Sequence, residues 1–224
     1  MLFLRLKLIN PIEINFIAGQ YVTLILSPSL RPAPNGAGLR RSYSIFSSAK
    51  QKDAIDLIID VTPDGPGTTA IKNTSVGQKI DFLGPLGHFT VETQAKNIFF
   101  IATGTGFSPI CCMLQSLIPE KIKNYESVTV LYGVSFKENA VFYDQCKNFA
   151  AQYPNFHYIP CVSRETVADG FQGHVTDYLK QNETTIPFST SHFFVCGGRD
   201  MVNDVITFLK AKNVPDAQIS TEKY

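Results

Sequence analysis

The pattern of hydrophobic residues changes near residue 94, and this change constrains the fold more than any other feature of the sequence. Before it, short segments of alternating apolar residues are separated by turns rich in glycine and proline; after it, continuous apolar runs alternate with helix-like segments. The first pattern is typical of an antiparallel β-barrel or sandwich, and the second of a doubly wound parallel sheet with helices on both faces. We therefore predict two domains, residues 1–93 and 94–224.

The first half begins with leucines at every second position of residues 2–8, which indicates a strand. Arg5 and Lys7 interrupt its apolar run, so the segment does not have the pattern of a signal peptide. The long loop 27–39 is of a kind that is often functional. Five further strands are predicted, at 21–26, 42–46, 55–61, 79–84 and 88–91.

The second half alternates strands and helices. NIFFIA, at 97–102, is apolar throughout, as expected of a strand buried on both faces. The strand–helix alternation implies a parallel sheet. The other predicted strands are 128–133, 156–162, 192–198 and 217–221, and the predicted helices are 108–118, 138–152, 173–181 and 200–212.

Charge and cysteine usage narrow the class of protein. The net charge of +1 gives no strong field for nucleic acid, and no apolar run is long enough to insert into a membrane. The five cysteines are scattered, without a CxxC pair or a pairing with histidine. This spacing argues against a disulfide framework or a zinc site and for a reducing compartment. We expect a cytoplasmic protein without a metal.

Three stretches of the second half end strands and could bind a ligand. In IATGTGFSP (101–109), Gly104 and Gly106 allow close backbone approach, and the following helix N-terminus suits a pyrophosphate. The stretch lacks the full GxGxxG pattern, and an ordinary tight turn explains it equally well. Cys196 lies at a later strand end, where α/β sheets bind ligands, although a buried thiol is the simpler explanation. Ser163 and Arg164 could bind a phosphate or lie in solvent.

Two stretches of the first half are also candidates. Arg41 could bind a phosphate, Tyr43 could lie against a flat heterocycle, and Ser44 could donate a hydrogen bond to a ring nitrogen. Packing and surface charge are the alternatives for all three. GPGTT, at 65–69, offers a second phosphate cradle or a polar turn.

Together these stretches resemble the ferredoxin–NADP(+) reductase family, which includes flavin reductases and the reductase components of oxygenases. The resemblance covers nearly the whole chain, and the order and spacing of its motifs are specific. The matching motifs are GQY at 19–21, RSYS at 41–44, GPGTT at 65–69, GPLGHF at 84–89, TGTGFSP at 103–109, LYG at 131–133, CGG with Met201, and the terminal EKY.

The resemblance implies a flavin-binding barrel followed by a nicotinamide-nucleotide domain. Arg41 would hold the flavin phosphate, Tyr43 would border the isoalloxazine, and Ser44 would lie near flavin N5. A further strand would precede the leucine strand. The pyrophosphate of FAD would be cradled by Gly67, Thr68 and Thr69.

For the second cofactor, NADPH or NADH, the resemblance implies a site at the strand ends. Cys196 would lie near nicotinamide C4 with Glu222 beside it, and Tyr224 would cover the flavin until the nicotinamide displaces it. Ser163 and Arg164 favour NADPH through its 2′-phosphate, but similar residues occur in members that use NADH. The remaining residues implied at this site are Thr103, Gly104, Thr105, Gly106, Gly197 and Met201.

The expected function is an FAD-dependent NAD(P)H oxidoreductase that passes electrons to a separate ferredoxin, flavodoxin or oxygenase component. The chain lacks the cysteine spacing of a plant-type [2Fe–2S] domain. Two alternatives stay open: a reductase of free flavin, and a non-catalytic nucleotide-binding subunit. The basic residues Arg31, Arg40, Lys50 and Lys52 could dock an acidic carrier or be ordinary surface charges.

Overall fold

The computed structural model describes residues 1–26, 38–62 and 65–223. Most of the predicted 27–39 loop, with Arg31, lies outside the described residues, as does Tyr224. The elements of the first half are β1 (Leu2–Lys7), β2 (Tyr21–Leu26), β3 (Leu39–Ser44), β4 (Ala54–Ile59), α1 (Pro66–Lys72) and β5 (Asp81–Leu86).

The strands of the first half pair antiparallel, as predicted. β1 pairs with β4, and β2 lies between β3 and β5. A bridge between Ile45 and Leu57 joins the two sheets. Asp56, on β4, is 5% exposed, and Arg5 donates to both of its carboxylate oxygens at 2.7 Å from the opposite position on β1. This ion pair compensates for the burial of the Asp56 carboxylate, so that β4 can be buried along its whole length.

The second half is a six-stranded parallel sheet with the strand order β11-β10-β6-β7-β8-β9. The doubly wound prediction is confirmed. Its elements are β6 (Asn97–Thr103), α2 (Phe107–Leu117), β7 (Ser127–Val134), α3 (Tyr143–Gln152), β8 (Phe156–Val162), β9 (Phe171–Gln172), α4 (Val175–Gln181), β10 (Ser191–Gly197), α5 (Arg199–Ala211) and β11 (Ile219–Lys223).

Both faces of this sheet are covered by helices. On β6, Ile98 and Phe100 join the core under α2 and α3, while Phe99 and Ile101 join the core under α4 and α5. Alternate side chains of one strand therefore enter two cores, which explains the continuous apolar run in the sequence. Among the described residues, no helix is both long and apolar enough to cross a bilayer.

Two local predictions are wrong. Residues 88–91 form no strand, because the Thr90 and Glu92 N–H groups donate to carbonyls two residues earlier, at 2.9 and 3.1 Å, instead of to a neighbouring strand. GPGTT is not a simple turn, because its last four residues begin α1. Pro66 occupies the first helical position, where its missing N–H is harmless, and Ile71 buries the helix against the barrel core.

Candidate functional site

A cleft of about 460 Å³ lies where the two halves meet. Strand β3 supplies its wall from the first half, and the ends of β10 and β11 supply the opposite wall with the turn before α2. Its lining is Tyr21, Ser42, Tyr43, Ser44, Ile58, Ile59, Asp60, Thr105, Gly106, Ser108, Cys196, Glu222 and Lys223.

A hydrogen bond between the two halves crosses this cleft. The Ser44 hydroxyl donates to Glu222 Oε2 at 3.2 Å, although the two residues are 178 positions apart. Burial raises the pKa of the Glu222 carboxyl, and the Ser44 hydrogen bond partly opposes that rise. Cys196 lies beside Glu222 in the β10–β11 register, and burial raises the pKa of its thiol well above the usual range. Cys196 is therefore a neutral thiol at physiological pH.

Tyr43 supplies a half-buried ring to the same cleft. Burial raises the pKa of its hydroxyl, and the charge of Arg41 partly opposes the rise. Since Ile58 and Ile59 also line the cleft, the cleft has an aromatic and aliphatic interior with polar groups at Ser44 and Glu222. Such a shape suits a flat ring with hydrogen-bonding edges.

Arg41 and the GPGTT stretch meet outside the cleft lining. A methyl group added at Gly67 would lie 2.9 Å from Arg41 Cγ and Nε, so the arginine side chain packs directly against the first turn of α1. Arg41 Nη1 donates to the Arg40 carbonyl at 2.8 Å. The Thr69 hydroxyl donates to the Gly65 carbonyl within the helix at 3.0 Å, whereas Thr68 is half-buried beside it.

A second and larger cavity, of about 660 Å³, adjoins the cleft. Asp60 lines both spaces, and the turn Gly104–Gly106 lies between them. The larger cavity lies at the carboxyl ends of the parallel strands, where α/β sheets bind ligands. Its lining includes the predicted residues Thr103, Gly104, Ser163 and Met201, together with Gly133, Ser135, His174 and Asp204.

Two glycines let the backbone close this turn. A side chain on Gly106 would collide with the Cys196 carbonyl group, whose carbon would lie 2.6 Å away. Gly197 has a φ of +156°, and a side chain there would clash with Thr103 and approach Met201 Cε to 2.6 Å. The turn before α2 is thus packed directly on the end of β10.

The structure brings most of the predicted site residues into these three places. Arg164 is exposed outside both cavities, with its N–H donating to the Ser135 carbonyl at 3.0 Å. Among the docking candidates, Lys50 pairs with Glu120 at 3.0 Å. The sequence did not lead us to predict that Tyr21, Asp60 and Ser108 line the cleft. Tyr21 and Ser108 each had a signal, their places in the GQY and TGTGFSP motifs, whereas Asp60 had none.

Two observations show that the residues present fit FAD. The Ser108 hydroxyl is buried, lines the cleft and has no hydrogen-bond partner among the described atoms, so it can donate to a ring. The side chain of Arg41 packs directly over Gly67, which places a guanidinium beside the first turn of α1, as a phosphate site requires. Within the described residues, no three His, Cys, Asp or Glu side chains come together as a metal site would need.

Comparison with protein families matches both halves. Residues 1–91 match the oxidoreductase FAD-binding domain, and residues 100–207 match the oxidoreductase NAD-binding domain. The fold and the two adjoining cavities therefore define a two-domain protein, with an oxidoreductase-type FAD-binding half followed by an oxidoreductase-type NAD-binding half. The chain belongs to the ferredoxin–NADP(+) reductase-like family.

Curated relatives match over almost the entire chain. The toluate 1,2-dioxygenase electron transfer component of Pseudomonas putida is 27% identical over 213 residues, covering 95% of this chain and 60% of the relative. A CDP-6-deoxy-L-threo-D-glycero-4-hexulose-3-dehydrase reductase of Yersinia pestis is 31% identical over 218 residues, covering 94% and 61%. The chain thus spans about three-fifths of the length of these relatives.

Solved structures share the fold. A ferredoxin NADP+ reductase from Neisseria gonorrhoeae, with bound FAD and NADP, superposes with a TM-score of 0.81 at 22% identity, covering 99% of this chain and 91% of that one. An Amycolatopsis cytochrome P450 reductase superposes with a TM-score of 0.82 at 24% identity, covering 99% and 64%. At these identities the likeness establishes the architecture.

Proposed function

We propose that this chain is an FAD-dependent oxidoreductase that takes hydride from NADPH or NADH and passes electrons to a separate ferredoxin, flavodoxin or oxygenase component. The observation that carries the proposal is the Gly104–Gly106 turn, which lies between the cleft and the larger cavity. A ring in the cleft and a nucleotide in the larger cavity would meet there. When bound, FAD supplies the redox chemistry, because it accepts a hydride and can release electrons singly.

The first half would hold FAD. Tyr43 would lie against the ring, and the apolar Ile58 and Ile59 would exclude water from it. Arg41 would bind phosphate over Gly67 together with the first turn of α1, including Thr68. Thr69 would shape the turn beside the phosphate, because its hydroxyl and its backbone N–H both donate to the Gly65 carbonyl.

Ser44 and Glu222, the hydrogen-bonded pair across the cleft, would hold and transfer protons. The raised pKa of Glu222 lets this carboxyl hold a proton closer to neutral pH than an ordinary glutamate. Ser44, hydrogen-bonded to Glu222, would connect it to the edge of the ring. The neutral thiol of Cys196 would contact the nicotinamide without adding charge. Tyr224 is proposed, from the family resemblance, to cover the ring until the nicotinamide arrives.

The larger cavity would hold the nicotinamide nucleotide along Thr103, Gly104, Ser163 and Met201, with Thr105, Gly106 and Gly197 forming the turn toward the ring. Ser163 lines this cavity and Arg164 follows it, which supports a site for a 2′-phosphate and a preference for NADPH. The domain boundary at residues 93 and 94 stays a prediction.

The acceptor is proposed from the relatives, which are named as electron transfer or reductase components of dioxygenases and monooxygenases. We propose an oxygenase component or a small carrier protein as the partner. The five free, buried cysteines fit a reducing compartment, and we propose the cytoplasm.

The test is an anaerobic visible spectrum of the FAD-loaded protein, recorded before and after addition of NADPH and, separately, NADH. We expect flavin absorbance that bleaches with either coenzyme, faster with NADPH. A protein that binds no FAD would contradict the proposal and leave only a nucleotide-binding subunit. A protein that rapidly turns over excess free flavin, and reduces ferredoxin, flavodoxin and an oxygenase component poorly, would favour the free-flavin reductase.

A further inference from the structure

The first turn of α2 carries a buried hydroxyl without a partner. Ser108 is 2% exposed, and its Oγ finds no hydrogen bond among the described atoms. It lines the cleft together with Thr105 and Gly106. A buried hydroxyl that makes no hydrogen bond lowers stability, so such a group in a native protein points to a partner that binds from outside.

The same turn has an uncompensated positive end. α2 runs for 11 residues from Phe107 to Leu117, with no side-chain cap and no acidic residue in its first turn. The helix dipole therefore favours a hydrogen-bond acceptor, or developing negative charge, beside Ser108. The helix end and the hydroxyl are two independent features, and both favour a ligand group that accepts hydrogen bonds.

Contacts along α2 fix this turn relative to the first half of the chain. Cys112 Sγ donates to the Ser47 carbonyl at 3.0 Å, and Gln115 Nε2 donates to the Phe46 carbonyl at 2.9 Å. Both carbonyls belong to the segment that directly follows β3. Ser108 is thus held in register with the strand of Tyr43 and Ser44, whereas it does not line the larger cavity.

We propose that Ser108 donates a hydrogen bond to a ring carbonyl of the flavin, and that the N-terminal end of α2 strengthens this bond. The inference rests on the proposed function and assigns a further binding residue to it. The carboxamide of the nicotinamide offers the same acceptor chemistry. The flavin is favoured because Ser108 shares the cleft and the α2 contacts with β3.

The experiment titrates FAD into the flavin-free wild type and the flavin-free variant Ser108→Ala, and compares the two dissociation constants. Loss of one hydrogen bond is expected to weaken FAD binding about three- to tenfold. Ser108→Thr, which keeps the hydroxyl, should retain most of the affinity. Ser116→Ala is the matched control, because its hydroxyl donates to the Cys112 carbonyl at 3.2 Å within the same helix and it does not line the cleft.

Thermal unfolding of the flavin-free proteins separates a ligand role from a structural one. Ser108→Ala removes an unsatisfied buried hydroxyl, so its melting temperature should equal or exceed that of the wild type. The rise in melting temperature produced by FAD should be smaller in the variant. A fall in the melting temperature of the flavin-free variant would mean that Ser108 has a partner inside the protein, and would overturn the proposal.

Analogues of FAD with sulfur in place of oxygen at C2 or C4 identify the acceptor. The penalty of Ser108→Ala should shrink with the analogue altered at the bonded carbonyl, because sulfur is a weaker acceptor. Equal FAD affinity of wild type and variant would overturn this inference alone. Unchanged FAD affinity with weaker NAD+ binding would assign Ser108 to the nicotinamide and overturn it too. A wild-type protein that binds no FAD would overturn the proposed function as well.

Discussion

At the scale of single residues, Arg41 and Tyr43 are the side chains expected to decide flavin affinity. Arg41→Ala removes the guanidinium proposed to bind phosphate, and Tyr43→Ala removes a ring from the cleft wall. Each change should weaken FAD binding about tenfold or more, while the far-ultraviolet circular dichroism stays that of a folded protein. Flavin content after purification and FAD titration measure the effect.

Matched variants sharpen this test. Arg40 is exposed on the same strand, and Arg41 donates to its backbone carbonyl, which the substitution keeps, so Arg40→Ala should bind FAD normally. Tyr43→Phe keeps the ring and should retain most of the affinity. Normal flavin content in both alanine variants at positions 41 and 43 would remove them from the flavin site.

Glu222 should make stability depend on pH. Because its folded pKa lies above the value of about 4.3 for an unfolded glutamate, the protonated form favours the folded state below about pH 4. That contribution is lost as the pH rises through the raised pKa. In flavin-free protein, the melting temperature of Glu222→Gln should therefore equal that of the wild type near pH 4 and exceed it at pH 7. Differential scanning calorimetry measures both.

The exposed Glu120 is a control of opposite sign. Its hydrogen bond to Lys50 lowers the pKa of its carboxyl, so its ionised form favours the folded state. Glu120→Gln should gain no stability relative to the wild type as the pH rises. A pH-independent difference between Glu222→Gln and the wild type would show that the cleft does not raise the pKa of Glu222.

Arg164 should discriminate between the coenzymes. Within the described residues this exposed guanidinium makes no ion pair, so it is available to a 2′-phosphate. Arg164→Ala should lower kcat/KM for NADPH about tenfold or more and leave that for NADH nearly unchanged. Lys210→Ala, which only breaks a surface pair with Asp216, is the control. Equal losses with both coenzymes would exclude the 2′-phosphate role.

At the scale of elements, the turn between β6 and α2 depends on the absence of a side chain at Gly106. Gly106→Ala would push a methyl group into the Cys196 carbonyl and separate the turn from β10. We expect a loss of about 1–3 kcal/mol in the free energy of unfolding, measured with urea. Gly198→Ala has open space and an ordinary φ of −58°, so it should cost far less. Equal losses would show that the turn tolerates a side chain.

The same elements show what a sequence can predict. The strands and helices of the α/β half could be predicted from apolar periodicity. A strand that is buried on both faces needs consecutive apolar residues, such as Phe99 and Phe100, and this pattern is visible in the sequence. Helix α1 was missed because Gly65, Pro66 and Gly67 favour a turn on local grounds, whereas its helical state depends on tertiary burial of Ile71. The strand predicted at 88–91 was wrong because its local pattern favours a strand, whereas Phe89 is buried in a segment that does not pair with another strand.

The site was predictable to the extent that its residues lie in short motifs. RSYS supplies Ser42, Tyr43 and Ser44 to the cleft, and TGTG supplies residues to both cavities, while the cofactor roles of these residues stay predictions. The distance between Ser44 and Glu222 could not be predicted, because it depends on how the two halves pack. Asp60, which lines both cavities, was missed because an aspartate after a strand is ordinary in sequence.

At the scale of the whole molecule, one of the two hydrophobic cores, the one under α2 and α3, extends through both halves. Val22 and Leu24 of the barrel belong to the same buried cluster as Ile110 and Leu114 of α2. Residues 1–93 alone would therefore expose the surface that α2 covers, and the two halves should unfold in one transition. We expect equal calorimetric and van't Hoff enthalpies, and proteolytic cleavage of both halves at the same temperature.

The connection through α2 can be weakened without breaking the core. Gln115→Ala removes the hydrogen bond to the Phe46 carbonyl, which should cost about 1 kcal/mol and still leave a single transition. FAD, although bound mainly by the first half, should then raise the melting temperature of both halves together. Two resolved transitions, or stabilisation of residues 1–93 alone, would mean that the halves fold independently. The cleft geometry would in that case depend on ligands more than on the shared core.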